Sequence, residues 1–467
     1  MSERTVVVGG GLAGLAAALA CAERGATVRL LERRPRLGGL AGSFPRAGPA
    51  GELWVDTGQH VFLRCCTAYR EFLGRLGVDG GVTLQDRLRI PVARPRGGRG
   101  AGPVTAEFRR APLPAPAHLA PALARYRLLR PGDRLRAVRA ALALRRVDPD
   151  SPAADAVRFG DWLAAHGQNE RTLTALWDLV GVAALNAPAA GASLALAARV
   201  FRTGLLDDAT AGDIGWSRVP LQHLHGDAAR LRLQRLGAEV VTGARVTGLR
   251  RQGCAWSVRT RDGTEHEAEH VVLAVPPGEA EHLLPPGNLA LPKGWAARLG
   301  SAPIVNVHVV YDRPVLDRPF LAAVDSPVQW VFDRTGPAGL RGPAQYVAVS
   351  LSAAVDAVAR PAAVLRERIL PALTELLPAA GPARVLDSFV TREPQATIDP
   401  APGRAALRPP PTTAHPGLVL AGAWTDTGWP STMEGAVRSG LAAAAALQRP
   451  VPAAAVRAAG RSAEVVT

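Results

Sequence analysis

A hexapeptide near the N-terminus has the residue types and spacing of a phosphate-binding turn. Residues 9–14 read GGGLAG and directly follow a short apolar segment, Thr5 to Val8. Glycine at the first position permits a tight turn, at the third it lets the backbone approach a pyrophosphate, and at the sixth it allows close helix packing. The N–H groups that begin the following helix carry partial positive charge, which favours phosphates. The pattern predicts a dinucleotide site that includes Gly9, Gly11, Leu12, Ala13 and Gly14.

An acidic residue completes this motif at the end of the next apolar segment. Leucines recur at helical spacing after the glycines, Gly25 ends that helix, and Thr27 to Leu31 reads as a second strand. Glu32 closes this strand at roughly the 20-residue separation at which a carboxylate binds ribose hydroxyls. Strand, turn, helix and strand form a βαβ unit, so we expect a parallel sheet covered by helices.

A second glycine pair follows Glu32 and favours FAD over NAD. The segment from Arg33 to Leu40 reads RRPRLGGL and contains Gly38 and Gly39. It resembles the flavoprotein group that includes amine oxidases and phytoene-type desaturases. The resemblance implies that Gly38 and Gly39 lie over the flavin side of FAD, with Arg33 and Leu40 beside them. An arginine often follows the pair in that group, and Leu40 replaces it here.

The same resemblance implies a second flavin-facing segment near the C-terminus. Gly422 closes an apolar strand, and the capping-box spacing of Ser431 and Glu434 predicts a helix over residues 431–447. The start of that helix would point at the flavin, where its dipole favours the anionic reduced ring. Relatives usually carry an acid after this glycine, and Ala423 removes that contact. The cofactor residues expected outside the first motif are Val246, Gly422, Met433 and Glu434.

Longer stretches narrow the resemblance to the hydroxysqualene dehydroxylases. The most specific are residues 55–60 (VDTGQH) and 422–430 (GAWTDTGWP), the latter continuing through residues 433–440. Weaker likeness runs through residues 159–162, 184–186 and 216–224. Because these stretches span nearly the whole chain, the sequence is identified as a member of that family, within the amine oxidase and phytoene desaturase superfamily.

Membership of this family implies a reductive step on a polyprenyl lipid in squalene and hopanoid biosynthesis. Hydroxysqualene would lose water and accept a hydride from reduced flavin, giving squalene. Protonating the allylic hydroxyl lets water leave behind a delocalised cation, so the protein must supply an acid. Asp426 is the favoured acid because its turn should face the flavin; His60 and Asp56 are the other candidates. The expected substrate contacts are Gln59, Trp177, Asn186, Trp216, Trp424 and Trp429.

Several of these side chains have a second interpretation. Asp426 can instead cap a turn or bind the cofactor, His60 can be an ordinary packed histidine, and Glu434 can be a helix cap. Trp424 and Trp429 can stabilise a cation through their π faces or simply line a tunnel.

These residues require elements from separate parts of the chain. We predict an α/β fold in which a Rossmann-type FAD-binding domain of the GR2 flavoprotein kind is intertwined with an α+β substrate domain. The FAD-binding domain comprises residues 1–90, 220–285 and 395–467, and the substrate domain comprises residues 91–219 and 286–394. The first part of the substrate domain reads as a largely helical insertion, with a loop at 94–100 and helices over 133–146, 161–184 and 192–206.

Composition limits the classes of function. The chain has 467 residues, of which 48% are hydrophobic, enough for a sizeable core. The net charge of +15 comes almost entirely from arginine, and 5% aromatic residues without a reader motif argue against nucleic-acid binding. The four cysteines form no CxxC pair, which predicts reduced thiols in a cytoplasmic protein and no metal site.

Contact with a membrane is a separate hypothesis. The sequence shows no leader and no apolar run near the roughly 20 residues that cross a bilayer. The stretch from Leu113 to Leu129 is flanked by arginines, which favours peripheral contact with the anionic inner face of the cell membrane. A solvated basic face is the alternative. The expected partners are the lipid substrate and enzymes of squalene synthesis.

Three other functions remain open. A carotenoid-type desaturase would move hydride in the opposite direction on a similar substrate, and the tryptophan-rich end motif favours the dehydroxylase. A flavin amine oxidase typically places a lysine in a strand near the flavin, whereas the strand over 304–311 carries Asn306 and His308. A non-catalytic lipid or flavin carrier is the remote alternative.

Overall fold

The computed structural model describes residues 3–96 and 102–448. Most of the loop predicted at 94–100, and the part of the predicted FAD-binding domain beyond residue 448, lie outside the described residues. The strands, numbered in chain order, are β1 Arg4–Val8, β2 Thr27–Glu32, β3 Ser43–Gly48, β4 Gly51–Asp56, β5 Val61–Leu63, β6 Val82–Leu84, β7 Arg89–Arg94, β8 Val104–Arg109, β9 Ile214–Ser217, β10 Glu239–Thr242, β11 Val246–Gln252, β12 Ala255–Thr260, β13 Glu265–Ala268, β14 His270–Leu273, β15 Ala302–Tyr311, β16 Phe320–Ala323, β17 Trp330–Asp333, β18 Gln345–Leu351, β19 Val385–Thr397 and β20 Leu418–Leu420.

Helices connect and cover these strands. They are α1 Leu12–Glu23, α2 Thr67–Leu76, α3 Ala120–Arg125, α4 Pro131–Leu144, α5 Pro152–Asp155, α6 Phe159–Ala165, α7 Glu170–Thr172, α8 Asp178–Leu185, α9 Leu194–Phe201, α10 Ala228–Arg235, α11 Pro277–Leu283, α12 Trp295–Leu299, α13 Ala362–Leu376 and α14 Met433–Ala446. Wide turns of π type precede α8, follow α9 and precede α10.

Five parallel strands form the sheet that carries the glycine turn. Their order is β10-β2-β1-β14-β20, and β1 pairs in parallel with both β2 and β14. The strands come from all three segments that were assigned to the FAD-binding domain. The predicted α/β fold of Rossmann type is therefore confirmed.

Helix α1 packs the centre of this domain. Every residue from Leu12 to Ala22 is buried, as expected for a helix that is apolar on all sides and is covered on all sides. Helix α14 lies directly against it, because a Cβ at Gly440 would stand 2.1 Å from the Ala13 carbonyl oxygen. This close packing fixes the beginning of α14 relative to the glycine turn.

Seven strands form the sheet of the substrate domain, in the order β19-β15-β18-β17-β16-β7-β8. Neighbouring strands are antiparallel except for the parallel pair β16 and β7. On β15, Val305, Val307 and Val309 face one apolar core together with α13, so the alternating residues Asn306 and His308 face the other side. Strands β7 and β19 run across the domain boundaries that were placed at residues 90/91 and 394/395.

The insertion over residues 91–219 is less helical than predicted. Strands β8 and β9 lie within it, and the single helix predicted over 161–184 is wrong. Helix α6 ends at Ala165, Gly167 follows with a φ of +71°, and the Asn169 side chain caps α7 by accepting the Thr172 N–H at 3.1 Å. A helix-ending glycine and a new N-cap therefore break the helix, although the apolar spacing continues across the break.

The apolar stretch over residues 113–129 forms core rather than an outer face. Leu123, Leu128 and Leu129 are buried, whereas Leu113 is 44% exposed. The Tyr126 hydroxyl donates to the Ala175 carbonyl at 2.8 Å. Placing the leucines of this stretch against a bilayer was therefore wrong. Among the described residues, no helix is long and apolar enough to span a membrane.

Candidate functional site

The first glycine turn has the geometry that its spacing predicts. Gly9 has a φ of +109°, and a Cβ there would lie 2.3 Å from the Ala274 carbonyl oxygen. A Cβ at Gly14 would lie 1.9 Å from the Gly9 carbonyl oxygen, so only glycine fits at this position in the first turn of α1. Gly11 differs, because the nearest atom to its added Cβ is the Gly39 Cα at 3.9 Å. The turn is therefore packed behind Gly9 and Gly14 and open in front of Gly11.

The second glycine pair packs directly on the first turn. The Gly38 N–H donates to the Gly10 carbonyl at 2.8 Å. Gly39 has a φ of +59°, and a Cβ there would lie 2.9 Å from the Gly11 Cα. Residues 9–11 and 38–39 thus form one continuous backbone surface, here called the glycine cradle. Leu40 follows it and is 39% exposed.

Helix α1 presents its unpaired N–H groups at the glycine cradle. Gly11 is its N-cap, and no side chain caps the helix. The first turn begins with Leu12 and Ala13 and contains no acidic residue, so the positive end of the helix dipole is not neutralised locally. This arrangement fits the pyrophosphate of a dinucleotide.

Glu32 lies at the edge of the glycine cradle. Its carboxylate is 8% exposed and accepts the Gly10 N–H at 2.6 Å and the Arg34 N–H at 2.7 Å. Each carboxylate oxygen has a second lone pair for a ribose hydroxyl. The Ala244 N–H donates to the Glu32 carbonyl at 2.9 Å. This bond positions the chain just before β11, whose first residue, Val246, is buried. Arg33 points outward, 3.7 Å from Glu279.

The C-terminal segment is held at Gly422. Its N–H donates to the Ser439 hydroxyl at 2.8 Å, and that hydroxyl lies 2.6 Å from the Thr425 hydroxyl. A Cβ at Gly422 would lie 2.2 Å from Trp424 Nε1. These contacts attach the loop over residues 423–429 to α14, which itself packs on α1.

The predicted capping box at Ser431 and Glu434 is wrong. Thr432 caps α14 by accepting the Gly435 N–H at 3.3 Å, and Met433 begins the helix. The Glu434 carboxylate instead accepts two N–H groups at the start of α2, from Ala68 at 3.2 Å and from Tyr69 at 2.7 Å. Glu434 is thus a helix cap, as one interpretation held, but of a neighbouring helix.

The two tryptophans of the loop have different environments. Trp424 is 5% exposed, and its indole N–H donates to the Val275 carbonyl at 2.9 Å. Its contacts make it a structural anchor of the loop, and a substrate contact there stays a prediction. Trp429 is partly exposed, and the Arg438 guanidinium lies 4.7 Å from its ring centroid. Trp429 therefore remains a candidate substrate contact.

Sequence reasoning missed Arg408, which holds this loop in place. The side chain is buried and donates to three loop carbonyls, at 2.8 Å to Trp429, 3.2 Å to Ala423 and 2.6 Å to Thr425. Burial lowers the pKa of Arg408. The arginine belongs to no recognisable motif, and only the folded loop shows its role.

Asp426 lies on the exposed side of the same loop. Its carboxylate accepts the Gly428 N–H at 3.2 Å, and its own N–H donates to the Pro409 carbonyl at 2.8 Å. One carboxylate oxygen is thereby left for other partners. The predicted acid is therefore accessible and held by its turn.

Asp56 is an anchor rather than an acid. Its carboxylate is 4% exposed and accepts the Ser43 hydroxyl at 2.6 Å and the Leu221 N–H at 3.2 Å. It also forms a buried ion pair with Arg334. These donors and Arg334 occupy the buried carboxylate, so its contacts are those of an anchor and not those of the predicted catalytic acid. The partner, Arg334, was not predicted.

Gln59 and His60 lie shortly after Asp56 in the chain, and each side chain has a polar atom that can still form a hydrogen bond. His60 Nδ1 lies 2.9 Å from the Gly58 carbonyl oxygen, so this nitrogen must carry the proton of a neutral ring. Burial lowers the pKa of His60. At neutral pH the imidazole is therefore neutral, and Nε2 is an acceptor. Within the described residues, the buried Gln59 Nε2 has no hydrogen-bond partner.

Two predicted substrate contacts are parts of the core. Trp177 is 3% exposed, and its N–H donates to Gln168 at 2.9 Å. The Asn186 amide donates to the Ala302 carbonyl at 2.9 Å and accepts the Ala353 N–H at 2.6 Å. The polar groups of both side chains bond within the protein, which makes both residues part of the core, and their substrate contacts stay predictions.

Trp216, on β9, packs against three rings of the substrate-domain sheet. Its ring centroid lies 5.7 Å from that of Phe320. Phe320 lies 5.9 Å from Trp330 and 6.2 Å from Phe332. These four residues are here called the aromatic group. Phe320 and Phe332 are buried, whereas Trp216 and Trp330 are partly exposed. The two tryptophans therefore offer apolar π faces, which suit an unsaturated hydrocarbon or a carbocation.

A buried amide lies on the same face of the sheet as part of the aromatic group. Trp330 pairs with Ser350, and Ser350 pairs with Asn306; residues paired directly across strands point to the same side. Asn306 is fully buried, and among the described residues its Oδ1 has no hydrogen-bond partner. The face thus combines aromatic rings with an unfilled acceptor. Sequence reasoning named Asn306 only as the residue replacing a lysine.

The fold and the glycine cradle define a flavoprotein of the GR2 kind, and comparison with known proteins agrees. The sequence profile of the family described as flavin containing amine oxidoreductase matches residues 12–448. The chain is 30% identical to hydroxysqualene dehydroxylase from Rhodopseudomonas palustris, over 95% of this chain and 98% of that protein. It is 24% identical to zeta-carotene desaturase from Arabidopsis thaliana, over 94% of this chain and 84% of that protein.

Solved structures show the same fold. An oxidoreductase from Methanosarcina mazei superimposes with a TM-score of 0.71 at 17% identity, covering 94% of this chain and 99% of that one. The chain belongs to the flavin containing amine oxidoreductase family, and within it to the group of the hydroxysqualene dehydroxylases. It is a flavin-dependent oxidoreductase, and its cofactor is FAD. The open space before Gly11 and the unpartnered Gln59 amide fit that cofactor.

Proposed function

We propose that this enzyme reduces hydroxysqualene to squalene. The observation that carries the proposal is one face of the substrate-domain sheet, on which Trp330 of the aromatic group and the unpartnered Asn306 oxygen both lie. Such a surface matches a hydrocarbon chain that bears a single hydroxyl group. The near-full-length likeness to the hydroxysqualene dehydroxylase of R. palustris supports the same substrate.

The chemistry requires one proton, one hydride and the loss of one water molecule. The glycine cradle and Glu32 would hold FAD, which in its reduced form would supply the hydride whose two electrons reduce the substrate carbon. The allylic C–O bond breaks with both electrons going to oxygen, which leaves as water once it is protonated. The protein's tasks are to protonate that oxygen, to stabilise the delocalised cation and to exclude bulk water.

We assign these tasks to residues of this chain. Asp426 donates the proton, since it is accessible on the loop that precedes α14. Neutral His60 accepts a hydrogen bond from the substrate hydroxyl through Nε2 and so orients it. The π faces of Trp216, Trp330 and Trp429 stabilise the allylic cation. Arg408 is a positioning residue, because it fixes the loop that carries both Asp426 and Trp429.

A carotenoid-type desaturase is the second candidate. The likeness to zeta-carotene desaturase favours it, and the aromatic group also suits a polyene. That reaction removes hydride from the substrate and therefore needs oxidised FAD and no proton donor. A flavin amine oxidase is less favoured. The strand β15 carries Asn306 and His308 instead of the lysine typical of such enzymes, and His308 is buried and hydrogen-bonded to Tyr346 and Thr391.

We also propose that the enzyme works in the cytoplasm at the inner face of the cell membrane, where its lipid substrate dissolves. Enzymes of squalene synthesis that supply hydroxysqualene are the expected pathway partners.

Product analysis with a panel of substrates tests this function. Purified holoenzyme is incubated anaerobically, in reduced and in oxidised form, with hydroxysqualene, zeta-carotene or a primary amine. We expect squalene from hydroxysqualene with the reduced form only. Desaturated carotenoid from the oxidised form, without squalene from the reduced form, would replace the dehydroxylase by the second candidate.

A further inference from the structure

Helix α4 carries two apolar faces. Ala137, Ala140 and Leu144 are each no more than 1% exposed and pack into the substrate domain. Leu135 and Val138, together with Leu142, are 54%, 37% and 47% exposed. Because positions i, i+3 and i+7 lie on one side of a helix, the exposed three form a continuous row, here called the outer row.

The outer row is the densest exposure of large apolar side chains on any described helix. Eleven large hydrophobic residues are exposed in the described part of the chain. Three of them belong to α4, whereas α10 and α13 each carry one. Single exposed leucines are ordinary, but a row at helical spacing marks a contact surface.

Exposed arginines without an ion pair occur on α4 and in the segments directly before and after it. Arg139 follows Leu135 by four residues and lies beside the row, and Arg146 follows just beyond the helix end. Residues 125–146 contain eight arginines and one acid, Asp133. That acid is 2% exposed and is already paired with Arg136 and Arg171. Within the described residues, no ion pair involves four exposed arginines of this region, Arg125, Arg127, Arg139 and Arg146.

We propose that the outer row of α4 and its arginines dock the enzyme on an anionic lipid bilayer. Apolar side chains flanked by guanidinium groups complement acyl chains beneath anionic headgroups, because the positive charges are attracted to those headgroups. A soluble acidic partner would pair with the arginines but leave the leucines uncovered. The surface deepens the proposed function, on which its purpose rests: it holds the substrate domain at the phase that dissolves a polyprenyl lipid.

Flotation with vesicles tests the docking surface. Holoenzyme is mixed with vesicles of phosphatidylcholine alone or of phosphatidylcholine with phosphatidylglycerol, without substrate. We expect flotation with the anionic vesicles only. The variant L135S/V138S/L142S should lose roughly tenfold or more of this binding. The matched control is L231S, since Leu231 on α10 is also 54% exposed, and it should float like the wild type.

Several results would overturn the docking surface. These are equal flotation of the triple variant and the wild type, equal binding to both kinds of vesicle, or no binding to either. A concentration-dependent dimer that the triple variant abolishes would assign the outer row to a second copy of the chain. Turnover of hydroxysqualene in detergent, measured on the same preparations, separates the proposals. Turnover without flotation removes only the docking surface, and flotation without turnover removes only the proposed function.

Discussion

At the scale of single residues, the glycine cradle shows how much depends on a missing side chain. Gly9, Gly14 and Gly39 are needed for close packing, and Gly11 leaves open space for the cofactor. The bond from the Gly38 N–H to the Gly10 carbonyl joins its two segments, and Glu32 holds the first by accepting the Gly10 N–H. FAD binding therefore rests on backbone shape more than on charged side chains.

Replacing Gly39 by alanine tests the cradle. The new Cβ would meet the Gly11 Cα at 2.9 Å, so the two segments must separate. We expect G39A to lower FAD affinity by roughly tenfold or more, which corresponds to about 1.4 kcal/mol. The measurement is a titration of apoprotein with FAD.

The control for this variant is G253A. Gly253 has a nearly identical φ of +60° but no atom within 4 Å of an added Cβ. Its backbone strain is therefore similar, without crowding of the cradle. FAD affinity should stay at the wild-type level in G253A, and equal losses in both variants would refute the role of Gly39.

Asp426 is the residue on which protonation is proposed to depend. D426N keeps the side-chain oxygen that accepts the Gly428 N–H and removes the acidic proton. We expect turnover of hydroxysqualene to fall by about 100-fold or more, with FAD affinity unchanged, as for loss of a general acid. Wild-type turnover in D426N, measured under saturating substrate, would assign protonation elsewhere.

At the scale of elements, α14 connects the cofactor region to α2. The Glu434 carboxylate is fully buried, accepts the first N–H groups of α2 and pairs with Arg438 at 2.6 Å. The start of α14 therefore cannot shift without disturbing α2.

Removing this cap should destabilise the FAD-binding domain. We expect E434A to lower the free energy of unfolding by about 2 kcal/mol, because two buried N–H groups lose their acceptor. T432A, which removes the cap of α14 itself, should cost about 1 kcal/mol. Urea unfolding of both variants gives the comparison, and a smaller loss in E434A than in T432A would contradict the link between the helices.

The sequence was informative wherever structure follows from local spacing. The turn at Gly9, strand β2 and the acid Glu32 occur where the motif predicts them, since each depends on neighbours within about one βαβ unit. Asp56 was misassigned because its partner Arg334 lies 278 residues away. Arg408 likewise acts on carbonyls that only the folded loop brings together. Trp177 and Asn186, which were named from likeness alone, have polar groups that bond within the core, because likeness marks packing residues as readily as substrate contacts.

At the scale of the whole molecule, two fully buried histidines make stability depend on pH. Burial lowers the pKa of His225 to about 4 and that of His308 to about 3. Both bind a proton in the unfolded chain below the ordinary pKa of about 6.5, but not in the fold. The unfolded state then holds more protons, so stability falls as the pH falls from 6.5 toward 4.

The expected loss is roughly 1.4 kcal/mol per pH unit for each histidine in this window. H308Q removes one of the two sites, so its stability should fall less steeply with decreasing pH than that of the wild type. Denaturant unfolding at a series of pH values measures the difference between the two curves. If the two curves run parallel, His308 binds protons equally in the folded and unfolded states, which would contradict its lowered pKa.

A single anaerobic turnover tests the central proposal most directly. Holoenzyme with stoichiometrically reduced FAD is mixed with hydroxysqualene, and the return of the oxidised flavin absorbance is recorded beside the squalene formed. The account predicts one squalene for each flavin reoxidised, with no reoxidation when the substrate is omitted. Flavin that stays reduced in the presence of hydroxysqualene, in an enzyme that binds FAD fully, would contradict it.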